Sequence, residues 1–484
     1  MKKAFRYWTA MALSGTLAAS VLAGCGAASG TGGSSAGGGD AAAPAAESEA
    51  PAAQSSGETT DAAGGEAAGQ YDVDNMDFNN IELRVSFRYS TNETDGQARW
   101  YYGMVDKFNQ ENEGKIHVTD ESISTESDYE EKLTTDFASG DAPNAILQYG
   151  GSRVEEYVDA GYLLDLTPYF EQYPEWYDGI QEFAWETTRF EGDEGTYGIP
   201  WSSYQLVMFY NKDLLAQAGV EVPKTWDELV EVCAKLKEAG IQPFNYSDKD
   251  NFHFEHLWSL MSLKAYGIGI ADDLATDKEA YNGEKMVKIY QLMKDMIDNG
   301  YWGDAILATD VSTERSMFEA GQAAFFIDGS WTCGNFQNSS DKTLFNAQKI
   351  GAARVPAVDE QYTTTEMGGG SDTYYIVTLN KSEEEIAATV KFIKYLTTTD
   401  AFNGRMESSP TTYAGKATVE SGNYLLDEVN KIMAENTDSR LELPNYDTNT
   451  AAMNTVRNSL QALATGASAQ EIGDDIVNKM SAYE

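Results

Sequence analysis

"YGIPWSSYQLVMFYNKDLLAQAGVEVPKTWDEL", residues 197–229, contains two opposed patterns from which the rest of the chain can be read. Gln205 to Asn211 is a short apolar and aromatic run of strand character. Thr225 and Glu228 then stand at capping-box spacing, so a helix begins at Trp226. Leu229, Val232, Cys233 and Leu236 recur at i, i+3, i+4 and i+7, and Gly240 closes the helix. Cys233 therefore lies on an apolar helix face and reads as a buried structural thiol.

The same alternation extends in both directions. Residues 81–89 alternate Ile81, Leu83, Val85 and Phe87 with polar residues, as a strand does, and a helical stretch follows from Trp100 to Asn112. Residues 144–151, 323–329 and 373–379 are further strands. Met286, Ile289, Tyr290, Met293 and Ile297 repeat at helical spacing before Gly300, while Ser382 with Glu385 and Ser468 with Glu471 open two more helices. Strands alternating with helices predict an α/β fold with mainly parallel sheets. Ligands of such sheets bind beyond the carboxyl ends of strands. Candidate site segments are thus Arg88–Glu93, Tyr149–Ser152, Asp328–Trp331 and Gly368–Asp372.

The first residues follow another logic. Lys2, Lys3 and Arg6 precede an apolar run, Ala10 to Leu22, too short to span a bilayer comfortably, which ends in Leu22-Ala23-Gly24-Cys25. This resembles the bacterial lipoprotein signal, in which cleavage before the cysteine leaves Cys25 to carry acyl chains. Two or more such chains anchor stably where one is marginal. Residues 26–70 are almost entirely Gly, Ala, Ser, Thr, Pro and acidic residues, unable to bury a core and expected to form a disordered tether.

The remaining 400 or so residues exceed what one hydrophobic core usually holds, so two lobes are expected. There are 77 Asp and Glu against 34 Lys and Arg, a formal net charge of −43, which excludes nucleic acid or an anionic membrane as a charge-driven partner. A phosphate loop, a His-Glu-x-x-His metal helix and a Gly-x-Ser-x-Gly elbow are all missing from the sequence, and three histidines supply a catalytic triad poorly. His253 and His256 stand at i and i+3 without an evident third ligand, so no metal site is assigned. A Cys233–Cys333 disulfide is left open.

Residues 197–229 resemble the signature of the family 1 extracellular solute-binding proteins of ABC importers, the carbohydrate-type branch related to the maltose-binding protein. The pattern is Gly-Ile-Pro, a strand, Tyr-Asn-Lys-Asp, a short helix ending in glycine, then Pro-Lys-Thr-Trp-Asp-Glu-Leu. "FASGDAPNAI" (137–146), "MFEAGQAAFFIDGSW" (317–331), "GGGSDTYYIV" (368–377) and "FIKYLTT" (392–398) follow in the family's order, with Asn144 where an aspartate is usual. The resemblance implies a periplasmic-binding-protein type II fold, two α/β lobes joined by a multi-strand hinge. The expected division is 1–24 signal peptide, 25–78 anchor and tether, 79–202 plus 371–410 N-terminal lobe, and 203–370 plus 411–484 C-terminal lobe. Crossings are expected near Trp201–Gln205, Met367–Asp372 and Ser409–Tyr413. It also implies a monomeric receptor without catalysis or cofactor, held by Cys25 on the outer face of the cytoplasmic membrane, that hands a di- or oligosaccharide to permease subunits.

A sugar presents apolar C–H faces and a polar rim, so its site needs flat aromatics beside carboxylates, amides or guanidinium groups. Trp331 matches the family's stacking tryptophan. The strand-end reading adds Asp328, Tyr149, Gly150, Asp372, Gly370, Arg88, Tyr89 and Glu93, and the first crossing adds Trp201 and Tyr204. Trp258 and His253 complete the candidates. A polyamine or metal-complex receptor, a lipid-anchored glycoside hydrolase and an adhesion or sensor protein remain the alternatives.

Overall fold

The computed structural model describes residues 70–89, 96–190, 192–443 and 450–482, within a compact unit spanning 63–484. The signal segment, Cys25, nearly all of the expected tether and Glu93 lie outside the described residues. Among the described residues ten strands form two sheets: β1 (Ile81–Ser86), β2 (Ile116–Asp120), β3 (Ala145–Tyr149), β4 (Ile199–Pro200), β5 (Ser203–Asn211), β6 (Phe325–Gly329), β7 (Ile350–Ala353), β8 (Thr365–Gly370), β9 (Asp372–Ile376) and β10 (Asp438–Arg440). The helices needed below are α1 (Gly96–Glu111), α2 (Trp226–Glu238), α3 (His253–Tyr266), α4 (Glu284–Asp298), α5 (Val311–Glu319), α6 (Thr332–Asn338), α7 (Glu383–Leu396), α8 (Thr399–Ser408), α9 (Tyr424–Met433), α10 (Thr450–Leu460) and α11 (Ala469–Met480). Among the described residues no helix is long and apolar enough to cross a membrane.

The first sheet runs β2-β1-β3-β9-β4 and the second β10-β8-β5-β6, with β7 also on β5. β1 is parallel to β2 and β3, but β9 is antiparallel to β3 and β4. β5 is antiparallel to β6, β7 and β8, while β10 is parallel to β8. The expectation of mainly parallel sheets is therefore corrected. β5 follows β4, and β9 follows β8, directly through the junction between the sheets. A strand arriving that way runs against the neighbours it joins, whereas a helical crossover returns the chain parallel.

Side-chain alternation explains why the middle of each central strand is apolar on both faces. Leu206 and Met208 of β5 enter one core, with Leu229, Leu236 and Trp258, while Val207 and Phe209 enter another, with Phe326, Phe336 and Leu425. β9 does the same in the first lobe: Tyr374 and Ile376 face one core and Tyr375 the other. A strand segment buried on both faces reads as a continuous apolar run, and the polar residues of β5, Ser203, Gln205 and Asn211, stand toward its ends. Each fully buried Leu or Phe contributes roughly 1.5–3 kcal/mol, and Phe209→Ala would cost about 3–5 kcal/mol. The capping boxes expected at Thr225, Ser382 and Ser468 are all present, at the starts of α2, α7 and α11. Cys233 and Cys333 are both free and buried, in different cores. Burial pushes both thiols well above the ordinary range, which makes them poor nucleophiles.

The chain links the sheets side by side. Trp201 N and Ser202 N donate to Asp372 O at 2.9 and 3.3 Å, and Ser371 N donates to Ser202 O at 3.0 Å. Thr412 Oγ1 donates to Ser203 O at 2.7 Å, and Ser202 bridges Tyr413. Three adjacent passages with mutual hydrogen bonds restrict the lobes to bending about one junction.

Candidate functional site

A cavity of about 950 Å³ opens at this junction. Ser202, Ser203, Tyr204, Ser371, Asp372 and Thr411 to Tyr413 form its back. Gln97 and Tyr149 come from the first lobe, and Trp331, His256, Glu319, Glu442 and Arg457 from the second. Of the residues picked from the sequence, Tyr149, Tyr204, Trp331 and Asp372 are brought together on its walls.

Trp331 follows β6 and folds back over its own strand end. A Cβ at Gly329 would overlap the indole ring, so only glycine leaves room. The indole Nε1 donates to Asp328 Oδ2 at 3.1 Å, and Thr332 Oγ1 donates to the same oxygen. Asp328 is fully buried and faces His253 Nε2 at 3.7 Å, while His253 Nδ1 faces Glu314 Oε2 at 3.3 Å. These are ion-pair rather than short hydrogen-bond distances. Burial opposes a charge on His253, but Asp328 and Glu314 outweigh it and raise the imidazole to about 10. Burial also opposes the Asp328 charge, yet His253 and Thr332 hold its carboxyl below the ordinary range, whereas burial raises Glu314. Asp328 and His253 thus lie beneath the cavity and carry Trp331 instead of lining it.

Tyr204 faces Trp331, with ring centroids 5.8 Å apart at 41°, and its hydroxyl donates to Glu442. Arg457 lies beside them and binds Glu255 Oε2 at 3.2 and 3.3 Å. Burial raises the Glu255 carboxyl to about 7 against the pull of Arg457. Burial lowers His256 to about 4, so its imidazole is neutral at pH 7 and offers a donor and an acceptor. In the first lobe the Arg88 and Arg153 guanidiniums stand 3.9 and 4.8 Å from the centre of the Tyr149 ring. Arg88 is paired with Asp372, whose other oxygen accepts from Ser202 Oγ at 2.9 Å.

The other expected residues are elsewhere. Trp258 is fully buried, stacked on Tyr281 at 6.0 Å, because α3 is sheathed by α4 and α10 on the side from which it projects. Trp201 is 2% exposed, between Tyr374 and Tyr413 with the Arg405 guanidinium over its ring. Tyr89 stacks on Tyr101 at 4.0 Å and shares a 2.6 Å hydrogen bond with Tyr374. Gly150 packs against the Thr187 backbone, and Gly370 pairs with Ser203 just before the cavity wall. Glu442, Arg457 and Glu319 were not picked out from the sequence, and His256 was weighed there only as a metal ligand. Arg457 did carry a signal: it lies on the α10 face marked by Met453, Val456 and Leu460, where a charge needs a reason. Glu442 carried none. Among the described residues no group of three or more His, Cys, Asp or Glu is placed to hold a metal ion.

Residues 90–401 match the family described as bacterial extracellular solute-binding protein. The chain is 25% identical over 271 residues to a binding protein of Brucella abortus, 54% of this chain and 61% of that one. It is 23% identical over 347 residues to the multiple sugar-binding protein of Streptococcus mutans, 68% of this chain and 75% of that one. It is 30% identical over 193 residues, 34% of each chain, to the fructooligosaccharide ABC transporter substrate-binding protein of Streptococcus pneumoniae. Among solved structures, a chitin oligosaccharide binding protein superposes with a TM-score of 0.74 at 21% identity, over 83% of this chain and 99% of its own. A sugar transporter protein of Bacillus licheniformis in complex with stachyose gives 0.67 at 18%, over 84% and 100%. The fold is the type II periplasmic-binding one, two α/β lobes about a hinge.

Proposed function

This chain belongs to the bacterial extracellular solute-binding proteins, and on that premise we propose that it is a saccharide receptor of an ABC importer, capturing its sugar in the interlobe cavity without altering it. The observation that carries this reading is the pairing of aromatic faces with unlike polar groups on one wall: Trp331 and Tyr204 beside Glu442, Arg457 and neutral His256. A pyranose ring stacks its C–H face on an indole and sends its hydroxyls to carboxylate, guanidinium and imidazole. The names of the Streptococcus relatives and the ligands of the structural neighbours support the same class. Closure of the lobes about the junction brings Tyr149 and Asp372 onto the bound ring from the other side. Cys25 as a lipid anchor, residues 26–70 as the tether and delivery to permease subunits complete the reading.

The test is thermal melting against neutral saccharides, polyamines and metal ions, followed by recovery of the solute. The cognate sugar raises Tm in step with RT ln(1 + [L]/Kd) and is recovered intact. A shift with polyamines or metal ions alone rejects the saccharide reading, and a consumed sugar converts the protein into a hydrolase.

A further inference from the structure

The cavity has two chemically unlike ends. Around Trp331 the polar groups are engaged: the indole N–H by Asp328, the Tyr204 hydroxyl by Glu442 and Arg457 by Glu255. On the wall built by α5 and α6 they are not. Arg315 lines the cavity and forms no ion pair among the described residues, in a chain with 77 acidic residues to 34 basic ones. The side-chain amides of Asn335 and Asn338 line the same wall and bond to no protein group among the described residues. Glu319 is 6% exposed; one oxygen accepts from Ser339 Oγ at 2.8 Å, and Oε1 is buried without a partner. Burial raises the Glu319 carboxyl, and Arg315, one turn earlier on α5, opposes that rise. A buried acceptor left unpaired is costly, so its satisfaction by a ligand is favourable.

We propose that this wall is a second saccharide subsite, where Glu319 Oε1 accepts a hydroxyl proton and Arg315, Asn335 and Asn338 donate to the oxygens of a second, uncharged sugar unit. The proposal rests on the saccharide reading above, with the first unit stacked on Trp331. Arg315 and Glu319 together leave the wall without net charge, and the unpartnered carboxylate oxygen between them calls for a donor. A uronate, sulfate or phosphate brings acceptors against an acceptor, whereas a sugar hydroxyl both donates and accepts. The ligand is then a neutral disaccharide or longer, for which about 950 Å³ is ample.

The experiment titrates the full chain calorimetrically with one-, two- and three-unit members of four series: α-glucan, xylan, chitin and fructan fragments. In the series that binds, Kd tightens about tenfold or more from one unit to two, a gain of about 1.4 kcal/mol. Arg315→Ala, Asn338→Ala and Glu319→Gln each reduce that ratio to about threefold or less, with melting curves confirming that the variants fold. A single unit binding as tightly as two, or a ratio unmoved in all three variants, overturns the second subsite and leaves the saccharide reading intact. Tighter binding of an acidic disaccharide, tested with digalacturonate, overturns the neutral assignment. No binding in any series overturns the subsite together with the reading beneath it.

Discussion

Each lobe presents an aromatic ring to the cavity just beyond a strand, and the two rings are held by different physics. Tyr149 lies against the guanidiniums of Arg88 and Arg153, with Arg88 tied to an Asp372 side chain that is 26% exposed. Trp331 is held from beneath by Asp328, itself locked to His253 and Glu314 in a cluster closed to solvent. A cation–π contact gives about 0.5–1 kcal/mol at an exposed site and about 2 kcal/mol when desolvated, and the Arg88 and Arg153 side chains are only 12% and 3% exposed, so water reaches this set chiefly through Asp372. A buried ion cluster adds little net stability while whole and costs several kcal/mol when one member is removed. The support of the first ring thus has one partly exposed link, Asp372, whereas that of the second is buried throughout.

The largest test of that contrast is removal of one charge from each side. Asp328→Ala leaves His253 with Glu314 alone and takes the acceptor from the Trp331 indole and the Thr332 hydroxyl, lowering stability by about 3–5 kcal/mol in urea denaturation, whereas Asp372→Ala, at a partly exposed pair, costs less, about 1–2 kcal/mol. Equal losses would erase the difference between the lobes.

Acidity separates them next. His253 is raised in the folded protein to about 10 from an ordinary 6.5, so its contribution is complete below pH 6.5 and is lost as pH climbs through about 10. Asp328 acts in the opposite sense: its carboxyl is depressed, so its share is present above its ordinary 3.8 and disappears as pH falls through the lower folded value. Denaturation of wild type from pH 6.5 to 10 should lose on the order of a few kcal/mol more than His253→Gln does. Parallel curves for the two proteins would show that the imidazole charge does not support the cluster.

Affinity gives a smaller effect. Tyr149→Ala weakens the best-binding saccharide about tenfold by calorimetry, while Tyr149→Phe keeps it within about twofold, because the ring face makes the contact. The smallest effect is ionic. Arg88→Ala costs about 1 kcal/mol at low salt, and that gap narrows in 1 M NaCl because its partner Asp372 is 26% exposed. A salt-independent gap would place Arg88 with the buried cluster.

Fold and site were legible in the sequence to different depths. Thr225 with Glu228 and the run Gln205–Asn211 announced α2 and β5 because capping and two-sided burial are local demands. Strand direction was not legible, since it depends on which lobe the chain arrives from. Strand-end logic led to Tyr149, Trp331 and Asp372 on the cavity wall. The same logic chose Asp328, which stands one layer deeper, because periodicity finds a strand's end without saying how far a side chain reaches. Glu442 and Arg457 come to the cavity along the path of the last forty or so residues; Arg457 is marked only by its place on the apolar face of α10, and no local pattern marks Glu442.

The most direct measurement is a saccharide titration of Trp331→Ala and Trp258→Phe side by side, with melting curves for both. Trp331 faces the cavity and Trp258 sits in the core. Trp331→Ala is predicted to weaken binding roughly 30-fold, about 2 kcal/mol, with little change in Tm. Trp258→Phe is predicted to lower Tm and leave Kd within about twofold. Undiminished affinity in Trp331→Ala would contradict a sugar stacked on the wall of this cavity.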